Sequence, residues 1–147
     1  MGEHRATVIW ERGGARFVDN RYSRAHTWHF DGGARVSASA SPHSVRTPFS
    51  DPAGVDPEEA YVAALSSCHM LWFLSLAAEE GIVVDSYHDE AIAVLERDER
   101  GRDAITRAVL RPRIRFSGTA RRRRATSRHC TMRRTAAASS PTPCGRS

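Results

Sequence analysis

The chain of 147 residues passes from strand-like segments to one long apolar segment and back to strand-like segments. Alternating or β-forming residues predict strands at residues 4–11, 15–18, 22–30, 34–40, 82–97 and 104–116. Asp31-Gly32-Gly33 predicts a hairpin turn, and Gly101 a turn within the late pair of strands. Pro112 should interrupt the last strand or place it at an edge. Strands, then a long helix, then a long hairpin predict an α+β fold with antiparallel strands around a central helix.

The apolar segment predicts one helix with a defined start and end. Asp56 suits the N-cap, Pro57 the first helical position, and Glu59 the acidic position of a capping box. Gly81 suits the C-cap. No charged residue falls between positions 63 and 78, and apolar residues occupy every face. A helix that is apolar all round is covered on all sides, and one small sheet cannot cover every face, so a second chain should pack against it.

A membrane span is the alternative reading of this helix. The uncharged run from Ala60 to Ala78 reaches only the lower length limit for crossing a bilayer. Polar side chains lie near its centre and acidic residues flank both ends, which is costly in a membrane. The N-terminal sequence also lacks the apolar region of a signal peptide. These features favour a soluble helix and no membrane partner.

Charge divides the chain into two regions. All 17 acidic residues lie between Glu3 and Asp103, whereas residues 121–147 contain eight Arg and no acid. The segment after residue 118 has no Leu, Ile, Val or aromatic residue and should be disordered. We therefore expect a domain at residues 1–118 and an Arg-rich tail at 119–147. Nucleic-acid binding by this tail is an alternative function, although no aromatic residue is present there to stack on bases.

The three cysteines point to a reducing compartment. Without a secretory signal they are not expected to form a disulfide framework, so we expect a cytoplasmic protein. A free thiol in such a protein is a candidate reactive group. Cys68, His69 and His88 show no metal-ligand spacing, and we expect no metal and no cofactor. Cys68 and His69 do not form a nucleophile–base pair either, because adjacent helical positions point about 100° apart. His69 should pack or form a hydrogen bond.

Three sequence features together resemble the OsmC/Ohr family of bacterial thiol-dependent hydroperoxide reductases. They are the helix start Asp56-Pro57-Glu58-Glu59, the segment Ser66-Ser67-Cys68-His69-Met70 ten residues on, and the stretch 85–101 before a long strand. The resemblance covers residues 4–118. It implies an OsmC-like fold, an intertwined homodimer in which two chains wrap strands around two central helices, and reduction of organic hydroperoxides by a cysteine.

The resemblance also implies the roles of three residues. Cys68 corresponds to the peroxidatic cysteine, Glu58 to the glutamate at the helix start, and Arg24 to the activating arginine, with Arg21 as the alternative. A free thiol is mostly protonated at neutral pH, and a guanidinium held by a carboxylate favours the thiolate. Glu58 precedes Cys68 by roughly 15 Å of helix. The site should therefore be assembled across the dimer, with the carboxylate supplied by the second chain.

Each of these residues also has a simpler reading. Cys68 could be a core cysteine in a non-catalytic member, Glu58 a plain N-terminal charge, and Arg24 a strand-surface charge. If the family chemistry holds, apolar residues near the thiol would favour organic peroxides over hydrogen peroxide. The family also implies an external thiol reductant, for which lipoyl-type dithiols are candidates.

The sequence departs from the family after residue 118. A second helix with a resolving cysteine, in a Cys-Phe-Ile-Ala-Asn-Ser type of segment, and a final strand are expected there. Cys130 and Cys144 have unsuitable neighbours. Reading residues 130–146 one nucleotide earlier with GC-rich codons permits the missing segment, so we hypothesise a frameshift. Without that segment, a sulfenic acid on Cys68 would need an outside thiol or would be over-oxidised, and the chain could be a defective member.

Overall fold

The computed structural model describes residues 2–117. These residues form an α+β fold with seven strands and one helix. The elements in chain order are β1 (Ala6–Ile9), β2 (His26–Phe30), β3 (Arg35–Ala38), α1 (Pro57–Glu79), β4 (Val83–Asp89), β5 (Ile92–Arg97), β6 (Asp103–Val109) and β7 (Pro112–Ser117). The boundary expected at residue 118 and the expectations for 119–147 lie outside the described residues.

The N-terminal strands form an antiparallel meander in the order β1-β2-β3. The turn between β2 and β3 closes through Gly33, whose φ of +85° is a left-handed conformation that favours glycine. The expected strand at 15–18 was wrong, because this segment is irregular. Its Phe17 ring instead stacks on Tyr22, with ring centroids 4.8 Å apart. The long loop between β1 and β2 is therefore held in place by contacts between side chains and not by hydrogen bonds between paired strands.

The C-terminal strands form one long hairpin with an interruption halfway. β4 pairs with β7 and β5 pairs with β6, and β4 leads into β5 as β6 leads into β7. The predicted break at Pro112 is confirmed, because β7 begins there. Asp89 bridges the interruption by accepting a hydrogen bond from the Arg111 backbone N–H at 2.6 Å. The turn at residues 98–102 closes the far end, as predicted.

Both ends of α1 follow the local signals of the sequence. Asp56 accepts a hydrogen bond from the Glu59 backbone, and the Glu59 side chain accepts one from the Asp56 backbone, which completes the capping box. At the other end Gly81 has a φ of +68°. The Gly81 and Ile82 backbone N–H groups donate to Ala78 and Ala77 in the pattern of a Schellman motif. The helix therefore begins and ends where the sequence predicts.

The start of α1 is fixed by close packing against the end of β3. Ala38 and Ser39 at the end of β3 are almost fully buried, and Ala38 pairs with Val55. A side chain added at Gly54 would lie 2.9 Å from the Ala38 backbone, so only glycine permits this close approach. The loop before α1 is thus ordered against β3, and it places the N-terminus of the helix beside the meander.

The helix itself is not covered within a single chain. Ala77 is its only buried residue, while Leu71, Trp72 and Leu76 are 62%, 67% and 55% exposed. One chain therefore does not surround its own helix, because the hairpin reaches only one side of α1. By length and composition α1 is also apolar enough to span a membrane. The core helix of a soluble protein can be equally long and equally apolar.

Candidate functional site

Cys68 lies at the midpoint of α1, and its thiol is exposed in the single chain. It is not among the residues that line the groove between the N-terminal meander and the start of α1. The expected enclosure of the thiol by apolar side chains is not formed by one copy alone: Trp72 is exposed, and Phe73 packs instead against Tyr87 and Phe116. Any enclosure of Cys68 has to come from atoms outside residues 2–117 of this chain.

A groove of about 440 Å³ lies between the N-terminal meander and the start of α1. Its walls combine an aromatic cluster, two basic side chains and small residues: Val8, Trp10, Phe17, Tyr22, Arg24, His26, Ser39, Ala40 and Pro57. Trp10 meets the edge of Tyr22 at a centroid distance of 5.4 Å. The groove therefore offers an apolar wall and a cation beside the first turn of the helix, where Pro57 is located.

Arg24 is held at this groove by its backbone and by its guanidinium. Its backbone N–H donates to the Phe49 carbonyl at 2.8 Å. Its guanidinium donates to the carbonyls of Asn20 and Tyr22 at 2.8 and 2.6 Å and lies 4.0 Å above the Tyr22 ring. Arg24 precedes β2, so it is not the strand-surface charge that the simpler reading predicted. A planar guanidinium over an aromatic ring keeps its remaining N–H groups available for an anion.

Arg21, the alternative, is exposed and does not line the groove. Glu58 is half-buried at the start of α1, next to Pro57. Within residues 2–117 neither Arg24 nor Glu58 forms a salt bridge, so the two are not paired with one another in the single chain. The capping role belongs to Glu59 and leaves the Glu58 carboxylate free of it. The structure thus places Arg24 and Glu58 at one end of α1, and Cys68 at its middle.

A second polar cluster joins α1 to β4. Ser66 donates to Asp89 at 2.5 Å, and His69 Nδ1 lies 2.7 Å from the Tyr87 hydroxyl. The prediction that His69 packs or forms a hydrogen bond is confirmed. Desolvation, with a smaller contribution from the Asp89 charge, raises the pKa of Tyr87. These contacts orient one face of the helix towards the hairpin and leave the opposite face open.

Two features of the site were not predicted from the sequence. One is His26, which lines the groove and whose Nδ1 lies 2.7 Å from the Arg24 carbonyl oxygen. The other is the aromatic cluster of Trp10, Phe17 and Tyr22. The aromatic residues before Arg24 were a usable signal, but their contacts depend on the irregular loop after β1. In the part of the chain described, no cluster of His, Cys, Asp or Glu could hold a metal ion.

Comparison with known proteins agrees with this architecture. The sequence model of OsmC-like proteins matches residues 50–143. A solved OsmC-like protein of unknown function from Vibrio cholerae is similar, with 56% sequence identity and a TM-score of 0.78 over 82% of this chain and 79% of that one. No curated protein matches. The long capped helix, the antiparallel strands and these two matches lead to one conclusion: this chain belongs to the OsmC-like protein family.

Proposed function

We propose that this chain is a cytoplasmic, homodimeric peroxidase that reduces organic hydroperoxides to alcohols with Cys68 as its nucleophile. The observation that carries the proposal is the thiol at the midpoint of α1, within the segment that resembles the family motif and falls inside the family match. Arg24 acts as the activating cation and Glu58 as its carboxylate partner. A groove with an apolar wall beside Arg24 supports an organic substrate.

The reaction balances with one thiol and one hydroperoxide. The Cys68 thiolate attacks the distal peroxide oxygen, the O–O bond breaks, and the alkoxide takes up the proton lost by the thiol. Sulfur is oxidised to a sulfenic acid while the peroxide is reduced to an alcohol. An external dithiol, of which a lipoyl-type dithiol is one example, then reduces the sulfenic acid, releasing water and forming a disulfide. The Arg24 guanidinium stabilises both the thiolate and the departing alkoxide by charge.

A second copy of the chain would complete the site. Within one α1, Glu58 and Cys68 are separated by roughly 15 Å and cannot touch. Two antiparallel copies of α1 that cross near Ala63 would place Cys68 of one copy opposite Glu58 of the other, because both residues are equally far from Ala63. At about 100° per residue, Glu58, Cys68 and Trp72 lie on one face of the helix, on the side away from Ala63. A crossing through this face would also cover Trp72, which is 67% exposed in one chain.

Hydroperoxide consumption by the purified full chain tests the proposal. With cumene hydroperoxide and a dithiol reductant, we expect turnover by the unaltered protein and none by Cys68→Ser. Arg24→Lys keeps the positive charge but loses the planar guanidinium, so it should lower kcat/KM. Arg21→Lys is the matched control and should leave kcat/KM unchanged. Unchanged turnover in Cys68→Ser would refute the mechanism, and a larger loss in Arg21→Lys than in Arg24→Lys would transfer the activating role to Arg21.

A further inference from the structure

We propose that His26 is a positioning residue for Arg24, which it holds at the groove through a hydrogen bond to the Arg24 backbone carbonyl. The inference rests on the proposed function, since it concerns the cation assigned there to Cys68. Arg24 is not part of a strand, because β2 begins only at His26. Its position is therefore set by individual contacts, and the contact from His26 is one of them.

The hydrogen bond defines which nitrogen of His26 carries a proton. A carbonyl oxygen only accepts hydrogen bonds, so Nδ1, at 2.7 Å from the Arg24 oxygen, must be the donor. Nδ1 keeps this proton in both the neutral and the charged imidazole. The contact consequently persists whether or not His26 is protonated, and His26 acts on Arg24 as a fixed donor and not as a pH switch.

Two contacts hold the Arg24 backbone from opposite sides. The Arg24 N–H donates to the Phe49 carbonyl at 2.8 Å, and the Arg24 carbonyl accepts from His26. His26 is itself fixed, because it pairs with Ala38 of β3 and its ring lies 5.9 Å from that of Trp28. A half-buried side chain on a strand thus holds an irregular segment in place. Without it, the Arg24 segment would retain the Phe49 contact, the contacts of the guanidinium and the hydrogen bond from Trp10 Nε1 to the Ser23 carbonyl, but the Arg24 carbonyl would lose its contact with His26.

Few other ionisable groups surround His26. Arg24 and Tyr22 share the groove with it, and Asp56 and Glu58 flank the Pro57 that lines the groove from α1. The paired strands contribute neutral residues to the groove: Val8 from β1, and Ser39 and Ala40 from the end of β3. If a substitution of His26 changes the reactivity of Cys68, we therefore expect the cause to be a displacement of Arg24.

The test compares two amides at position 26. Asn places its amide N–H near the position of Nδ1, whereas Gln places its amide near the position of Nε2. His26→Asn should retain most of the kcat/KM for cumene hydroperoxide, and His26→Gln should lose about ten- to a hundredfold, the loss typical of a misplaced group. His29→Ala, at a half-buried histidine of the same strand outside the groove, is the matched control and should leave kcat/KM unchanged.

A second readout does not depend on peroxidase turnover. The pH at which Cys68 becomes reactive towards iodoacetamide should shift upwards in His26→Gln and in Arg24→Ala alike, and should stay at the wild-type position in His26→Asn. Equal behaviour of the Asn and Gln variants in this pH profile would overturn the positioning role. Failure of the proposed peroxidase function gives a different result. It appears as absent turnover in the unaltered protein or as unchanged turnover in Cys68→Ser, and not as equal behaviour of the two amide variants.

Discussion

Replacing Trp72 by Ala should dissociate the proposed dimer, because this side chain belongs to the uncovered face of α1. Aromatic side chains bury about 150–250 Å², so the 67% of Trp72 that is exposed in one chain corresponds to roughly 100–170 Å². At about 25 cal/mol per Å² this burial contributes roughly 2.5–4 kcal/mol per copy. Two copies lose this contribution together, so the dissociation constant should rise by at least about a thousandfold.

Sedimentation equilibrium of a dilution series measures this change directly. Alanine favours helix, so Trp72→Ala should keep the far-ultraviolet circular dichroism of the unaltered chain. Val18→Ala is the control, since Val18 is 96% exposed and lies far from α1 in sequence, and it should leave the dissociation constant unchanged. If the unaltered protein is monomeric at micromolar concentration, or if Trp72→Ala dimerises as tightly as Val18→Ala, the reasoning from the uncovered helix face is refuted.

Three further changes test the local interactions of the fold. Gly81→Ala should lower the free energy of unfolding by about 1–2 kcal/mol in urea titrations, because its φ of +68° strains an alanine. Ser66→Ala should cost about 1–3 kcal/mol in the same assay, since it removes the donor to Asp89; an unchanged midpoint would show that the contact is not stabilising. The backbone and side chain of Arg102 hold the pKa of Asp98 below its usual value. A carboxyl group whose pKa is lowered by folding stabilises the fold at pH values above its unfolded-state pKa. The unaltered chain and Asp98→Asn should therefore differ in melting temperature at neutral pH, and this difference should disappear as the pH falls below about 4.

The sequence was sufficient to predict the elements whose signals are local. The capping box at Asp56 and the glycine at position 81 fixed the helix, since each satisfies backbone groups within a few residues. The alternation of apolar and polar residues predicted the strands of the hairpin, and Pro112 predicted its interruption. Both signals are local, because side chains alternate with a two-residue period and proline lacks the N–H donor that strand pairing needs. The strand expected at residues 15–18 failed for the complementary reason: Phe17 packs on Tyr22 instead of pairing with another strand.

The site was only partly predictable, because its contacts join segments that are distant in sequence. The motif around Cys68 led to the family, but no local pattern shows that Arg24 is held by the carbonyl of Phe49, or that His26 donates to Arg24. A helix that is apolar all round predicts that a second chain is needed, but it does not reveal which face the hairpin covers and which face is left open. That distinction required the exposed fractions of the helix residues, which depend on where the hairpin packs.

The most direct measurement for the central claim is chemical. Treating the reduced protein with one equivalent of cumene hydroperoxide in the presence of dimedone, followed by peptide mass spectrometry, reports which sulfur becomes a sulfenic acid. We predict a dimedone adduct on Cys68 together with one equivalent of cumyl alcohol, and no adduct at this position in Cys68→Ser. Peroxide that remains unconsumed while Cys68 stays a free thiol would contradict the peroxidase mechanism and leave only the family fold.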